Sequence, residues 1–369
     1  MGCKVRIGSF ISVCDKKNKS NLDLPVYGIN KENEFMPTVA NMTGVDTSKY
    51  KLLTRGVFAF NGMHVGRDVA VPIGKYDFDF DALISPAYTT FTVDETKGIL
   101  EEYFEVFIRL DEFDRLAWFY CDSSVRGGLE WKRFLDIEIP KPSPEEQQKV
   151  VNVWKACREI KEQNEAKAAP LMQLCQSYIQ ELKHKYPAKE IGPYIHRIDE
   201  RNTDKSIKEV RSVSVTKDFN ETNAKVDKNN LGNYKIVREN QISFVQTTGN
   251  EKCLCAAINH LGFPVVVTSV NEVFETDDNY LVADYLHMIF RRKETDRYAR
   301  FHSWGSARET FTWEDMKRFS VPLPPTDVQR AIVNIYKCAN EAKQIAAEAD
   351  RLSREVCPAL LQHINHMMN

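Results

Sequence analysis

The chain has 369 residues, 43% hydrophobic and 28% charged, a composition that gives two domains room for separate cores. No run approaches the roughly 18 apolar residues that a membrane span requires. Fifty Lys and Arg face 52 Asp and Glu, for a net charge of -2, so any footprint on nucleic acid has to be local.

The opening MGCKVRIGSF lacks the apolar stretch of a secretory signal and has no Ser or Thr at the sixth position for myristoylation; we expect a cytoplasmic protein. Nine cysteines, an odd number with no C-x-x-C pair and no His at zinc-finger spacing, read as buried or inert thiols.

In chain order, residues 1–142 carry short β-branched and aromatic runs such as YKLLTRGVFAF, from Tyr50, which predict strands of a mixed or antiparallel sheet. TKGILEEYFEVFIRL has apolar residues three and four apart and predicts a helix. Residues 143–185 contain no Gly and are rich in Glu, Lys, Gln and Ala, predicting one long helix from about Pro144. On it, Lys149, Lys155, Arg158 and Lys161 read as a solvated face with i,i+4 partners. Residues 186–324 return to strand-like QISFVQ and PVVVTSV and a helical NYLVADYLHMIFRR. Residues 325–369 predict a second long helix from about Thr326, where Ile332, Ile335, Ala339, Ala342, Ala346, Ala349, Leu352 and Val356 form an a/d seam. Pro170 and Pro358 are expected to interrupt and kink these helices, because each removes a backbone donor and crowds the preceding turn.

The second half repeats the first. IPKPSPEEQQKVVNVWKA and VPLPPTDVQRAIVNIYKC align at an offset of 182, pairing Pro140 with Pro322, Gln147 with Gln329, Asn152 with Asn334 and Lys155 with Lys337. The same offset pairs Tyr103 with Tyr285, Asp114-Arg115 with Asp296-Arg297, Ser124 with Ser306, Arg126 with Arg308, and Trp131 with Trp313. At an offset of 184, YKLLTRGVFAF meets YKIVRENQISF, and IGSFISVCDKKN meets IGPYIHRIDERN. Between these stretches the halves diverge, as if a duplicated scaffold served two different targets. The fold class is therefore α/β: two tandem α/β domains, each followed by a long helix. Some forty residues at about 1.5 Å each make a rod of roughly 60 Å, too long for one domain to cover. The expected partner of each rod is the other, as an antiparallel coiled coil with pseudo-twofold symmetry. Such a rod would act as a ruler between duplex half-sites about one turn, 34 to 36 Å, or more apart.

Two variable domains alternating with two helices, each domain closing on S-V-R or S-A-R and then W…IPKPSPEEQ or W…VPLPPTDVQ, resemble the specificity subunit of type I restriction-modification systems over essentially the whole chain. The resemblance implies a non-catalytic reader, in which two target recognition domains each bind half of a split double-stranded DNA target. It further implies that the helices fix the gap and dock DNA methyltransferase (modification) subunits, with a motor-nuclease (restriction) subunit as a further partner. Adenine N6 methylation with S-adenosylmethionine, and ATP- and Mg²⁺-dependent cleavage, would belong to those partners, with no cofactor in this chain.

The residues agree with that assignment of chemistry. Ser85 to Tyr88, SPAY, lacks the second proline of the adenine-methyltransferase tetrapeptide and reads as a turn into a strand. No G-x-G and no G-x-x-x-x-G-K-[ST] occurs, so neither an adenosyl cofactor nor ATP has its usual cradle. The acidic loops VDETKG and ETDDN read as solvated, and we expect no catalytic or metal site.

Reading a duplex needs cations for phosphates, and Arg, Asn or Gln for base edges. The divergent loops offer Asn61, His64 and Arg67, with Arg126, in the first domain. In the second they offer Gln246, Thr247, Thr248 and Asn250, with Arg308. Lys16, Lys17 and Lys19, and opposite them Arg201, Lys205 and Lys208, are candidates to grip phosphates. Arg126 and Arg308 have an equal claim to a structural role at the junction, and Trp131 and Trp313 read as core anchors. Two rival functions stay open: a self-contained methyltransferase or nuclease with its own reader, and a coiled-coil scaffold with no DNA role.

Overall fold

The computed structural model describes residues 4–63, 65–122, 127–222, 225–227, 229–247, 253–304 and 309–367. The first part of the chain forms β1 (Lys4–Arg6), β2 (Ile11–Val13), β3 (Val26–Ile29), β4 (Phe35–Pro37), β5 (Lys51–Leu53), β6 (Phe58–Phe60), α1 (Val65–Asp68), β7 (Ile73–Lys75), β8 (Ala82–Ile84) and β9 (Thr89–Val93). There follow α2 (Glu101–Ile108), α3 (Asp111–Phe119), α4 (Trp131–Asp136), β10 (Glu138–Pro140) and the long α5 (Pro144–Lys185). The second part forms β11 (Ala188–Glu190), β12 (Ile195–Ile198), β13 (Arg211–Val213), β14 (Phe219–Glu221), β15 (Lys235–Val237), β16 (Ile242–Val245), β17 (Ala256–Ile258), β18 (Val265–Val267) and β19 (Asn271–Thr276). It ends with α6 (Ala283–Phe290), α7 (Lys293–Phe301), α8 (Trp313–Arg318), β20 (Ser320–Pro322) and the long α9 (Thr326–Met367). Two compact units result, Met1–Gln163 with Ile345–Asn369, and Asn164–Gln344, so each long helix contributes to both.

In the first unit, β2-β9-β6-β7 is an antiparallel sheet, and β4-β3-β8-β5 is mixed through its one parallel pair, β3 with β8. β1 pairs antiparallel with β10, Val5 opposite Ile139, which ties the entry of the domain to its exit. The run YKLLTRGVFAF does not make one strand. Gly56 adopts φ 86°, a conformation that favours glycine, and the chain turns there, sending β5 into the mixed sheet and β6 into the antiparallel one. Gly98, at φ 81°, likewise delays α2 to Glu101. Phe58 stacks on Phe91 at 5.3 Å and meets Phe104 at 5.5 Å. All three are fully buried, and each contributes on the order of 2 kcal/mol. Val150 and Val151 of α5 and Cys357 and Leu361 of α9 complete this core.

The second unit repeats the plan with β12-β19-β16-β17, β15 paired to β18, and β11 clasped to β20. Its core takes Cys175, Ile179 and Leu182 from the end of α5 and Ile332 and Val333 from the start of α9. The long helices thus run antiparallel in each unit. In the first, Lys161 pairs with Asp350 at 2.8 Å while the earlier Val150 shares a core with the later Cys357; in the second, the Cys175 thiol lies 4.0 Å from the Ile332 carbonyl.

Several of the residues shared by the two halves hold the strand-to-helix junction. Gln147 and Gln329 are fully buried one turn into their helices. Gln147 accepts from the Leu100 amide at 2.8 Å and donates to the carbonyls of Gly98 and Pro142, both at 2.9 Å. Gln329 accepts from the Val282 amide at 2.9 Å and donates to Tyr280 at 2.7 Å and Pro324 at 2.8 Å. The Tyr103 and Tyr285 hydroxyls donate to the carbonyls of Pro140 and Pro322 at 3.3 and 3.0 Å. Prolines offer no N–H, so a proline-rich junction leaves carbonyls that a side chain must satisfy, and Gln carries both donor and acceptor. Lys155 pairs with Glu102, and Lys337 with Asp284 at 2.8 Å. Asp114 and Asp296 accept from the amides of Val71 and Leu254 at 2.9 and 3.1 Å.

Three details of the helices depart from expectation. Both run unbroken through Pro170 and Pro358. In α9 the buried stripe passes Ala342, Ala346, Ala349, Cys357 and Leu361, leaving Leu352 38% exposed, because a 3.6-residue turn drifts away from a strict 3.5-residue seam. Of the basic residues predicted on a solvated face of α5, Arg158 has the i,i+4 partner, Glu162 at 2.7 Å, whereas Lys155 and Lys161 pair with other elements.

Replacing Gln147 or Gln329 with Ala orphans one amide and two carbonyls; unfolding by urea, monitored at each unit by hydrogen exchange, should show a loss of about 2 to 4 kcal/mol in the affected unit. The units should also respond oppositely to pH. His287, its Nε2 3.0 Å from the Lys217 carbonyl, is pushed down to about 4 by burial, so the second unit should weaken as pH falls from about 6.5 towards 4, where the unfolded chain binds the proton more readily. Burial pushes Asp114 up to about 6 despite the Val71 amide, so the first unit should weaken as pH rises from about 4 to 6. Exchange rates in H287N and D114N should flatten these two dependences separately.

Candidate nucleic-acid interface

Strand register decides which loops share an end of each sheet. In the first unit Val13 lies opposite Phe91, and Phe60 opposite Thr89. The chain leaving β2 towards Lys16, the chain leaving β6 towards Asn61 and the Ser85–Tyr88 turn entering β9 therefore emerge together. In the second, Ile198 lies opposite Val273 and Val245 opposite Asn271, so the chains leaving β12 towards Arg201 and β16 towards Gln246 also emerge together.

The segment before each short junction helix is fastened to the loop leaving the central strand. The Leu129 amide donates to the Gly62 carbonyl at 2.8 Å, and the Phe311 amide to the Gln246 carbonyl at 2.8 Å. Thr247 is bridged to Thr310, which also pairs with Trp304. At Gly62 a Cβ would stand 1.9 Å from the Leu129 carbonyl oxygen, so no other residue fits there. Beside this clamp lies an open cleft of about 260 Å³ lined by Phe60, Asn61, Met63, Ala87, Thr89, Glu130 and Trp131, among others. Trp131 stacks on Phe134 at 5.1 Å, the anchor expected of it, and Trp313 meets Phe274 at 5.7 Å.

Asn61 lines the cleft and accepts from the Met63 amide at 3.0 Å. Arg67 belongs to α1. His64, Arg126, Thr248, Asn250 and Arg308 lie outside the described residues. Thr247 is exposed. Gln246 is engaged: its Nε2 donates to Glu272 at 2.5 Å. Glu272 also receives Arg197 at 2.6 Å and Lys235 at 3.1 Å; burial opposes its charge, but these cations hold its carboxyl below the usual range. Arg197, half exposed on β12, is a cation at this end of the sheet that the sequence reading passed over; its signal was the Arg within IHRIDERN, aligned with the strand before Lys16.

Among the proposed phosphate ligands, Lys16, Lys17 and Lys19 are exposed, on a loop held by buried Asn18, which bonds both ways with Leu22. Lys205 and Lys208 are exposed as well. Arg201 is different: its guanidinium donates to the Asn233 carbonyl at 2.8 Å and pairs with Asp199 at 2.7 Å. Other cations are built into the interior. Lys75, nearly buried, lies within 3.1 to 3.3 Å of Glu101, Asp77 and Glu105; burial works against its charge, yet these carboxylates raise its pKa. Among the described residues no group of three or more His, Cys, Asp or Glu is placed to hold a metal, and no helix is long and apolar enough to cross a membrane.

No protein-family model and no curated protein matches the chain. Among solved structures, it is similar to the S subunit of a type I restriction-modification system from M. genitalium, with a TM-score of 0.65 and 12% identity over 99% of this chain and 96% of that one. It also matches, at 14% identity and over 99% of its length, a chain from work on complex assembly and conformational transition of the type I R-M system, and the HsdS subunit from Thermoanaerobacter tengcongensis. Their TM-scores are 0.41 and 0.35, and they are covered over 97% and 95%. The chain has the fold of the M. genitalium S subunit, in agreement with the resemblance carried by its duplicated junctions.

Gly62→Ala should force the clamp open. Hydrogen exchange would then show the Leu129 amide losing protection while β6 and β9 keep theirs.

Proposed function

We propose that the chain is the DNA-specificity subunit of a type I restriction-modification complex, reading a bipartite duplex target with one half per domain. It docks methyltransferase and restriction subunits, and the chemistry of S-adenosylmethionine, ATP and Mg²⁺ resides in them. The observation that carries this reading is the division of labour within the repeat. Residues that lock the junction recur, while the loops leaving one end of each sheet differ, as two readers on one frame require. The fold shared with the M. genitalium S subunit supports it. On this reading Lys16, Lys17 and Lys19 meet phosphates, which position the protein, while the loops around Asn61, Arg67 and Thr247 meet base edges, which specify the sequence.

Substituting Lys16, Lys17 and Lys19 together with Ala should weaken binding to all duplexes alike and reduce the slope of log K against log salt by up to about 3. Substituting Asn61 and Arg67 with Ala should relax one half of the target, by about 1 to 3 kcal/mol per lost base contact, and leave the other intact. Titrations of labelled duplexes carrying changes in either half, with the assembled complex, measure both. Loss of preference in both halves at once would contradict the assignment.

A further inference from the structure

Two sets stand out among the residues shared by the halves. Tyr103, Asp114 and Trp131, like their counterparts Tyr285, Asp296 and Trp313, point inward and hold the frame. Glu112, Arg115 and Phe119 on α3 recur as Glu294, Arg297 and Phe301 on α7, again 182 residues on, and they do not. Steps of three and four place each trio on one helix face. Phe119 is 79% exposed and Phe301 82%. Arg115 pairs with Glu112, and Arg297 with Glu294 at 3.9 Å. Each Phe stands edge-on to the next ring, Tyr120 at 5.8 Å or His302 at 5.1 Å.

A single exposed Phe needs no explanation. The same exposed Phe with the same flanking charges, kept in two domains whose reading loops have diverged, implies something met identically by both. The DNA backbone is one such thing, but a carboxylate beside each Arg repels phosphate. An aromatic anchor rimmed by one acid and one base instead complements a protein surface that offers an apolar recess flanked by the opposite charges. The site adjoins the reading end: α3 packs against α1, and its chain continues into Asp122, whose backbone amide donates to the Gly128 carbonyl beside the clamp. A subunit that modifies the bases being read has to sit there.

We propose that the Glu-Arg-Phe stripes of α3 and α7 are equivalent docking sites for two copies of one protein partner, which, resting on the specificity-subunit reading, is the methyltransferase subunit. The test mixes the full chain with the purified methyltransferase subunit of its own system and determines stoichiometry by native mass spectrometry and sedimentation. The wild type should take two copies. F119A or R115E should weaken one of the two sites by about thirtyfold or more, and F119A/F301A both, with hydrogen exchange of the cores unchanged because these side chains are exposed. Two copies bound undiminished by the double variant would overturn the docking site and leave the specificity reading standing. No binding by the wild type would overturn both. A fall in duplex affinity without a change in subunit binding would make the stripe a DNA contact, and an altered self-association of the chain alone would make it a contact between copies; either result overturns the proposal.

Discussion

The buried glutamine at the start of each long helix is the interaction on which the rest depends. A chain leaving a β-strand through closely spaced prolines cannot close its own hydrogen-bond ladder. Gln147 and Gln329 close it instead, taking one amide and supplying two carbonyls with donors. This fixes where each helix starts and how it is joined to the domain before it. The tyrosine hydroxyls above each junction and the ion pairs Lys155–Glu102 and Lys337–Asp284 reinforce the same joint. From there the hydrophobic core runs continuously from sheet to helix, and in each unit it accepts a segment of the other long helix, antiparallel to the first.

Once that frame is held by a few buried groups, the loops at one end of each sheet can vary without loss of fold. The same economy explains the neutral composition. Lys75 and Lys235 are bound to buried or half-buried carboxylates and serve the interior, while Lys16, Lys17 and Lys19 remain in solvent. A net charge of -2 therefore hides a local cationic loop. The Glu-Arg-Phe trios are shared as well, yet each ends in a phenylalanine left in solvent, outside the joint that the buried shared residues hold.

The frame was legible in the sequence because its chemistry is residue-specific. Few side chains other than Gln both donate and accept in that geometry, and so Gln147, Tyr103, Pro140 and Lys155 return at a fixed offset. What escaped depends on partners distant in sequence or on fine geometry. The division of YKLLTRGVFAF between two sheets turns on the positive φ of Gly56. The stripe that leaves Leu352 exposed reflects accumulated helical drift. The engagement of Gln246 by Glu272, and of Arg201 by Asp199 and the Asn233 carbonyl, joins residues that no local pattern connects. Of the residues put forward as base contacts, Asn61 lines a cleft beside the clamp and Gln246 is a member of an ion cluster.

The central claim is that two interchangeable frames differ in what they read. Replacing residues 1–142 with a second copy of 186–324, and selecting duplexes from a random pool with the assembled complex, tests it most directly. The account predicts a target in which one half-site occurs twice; recovery of the parental asymmetric target, or of no sequence preference from a complex that still forms, would contradict it.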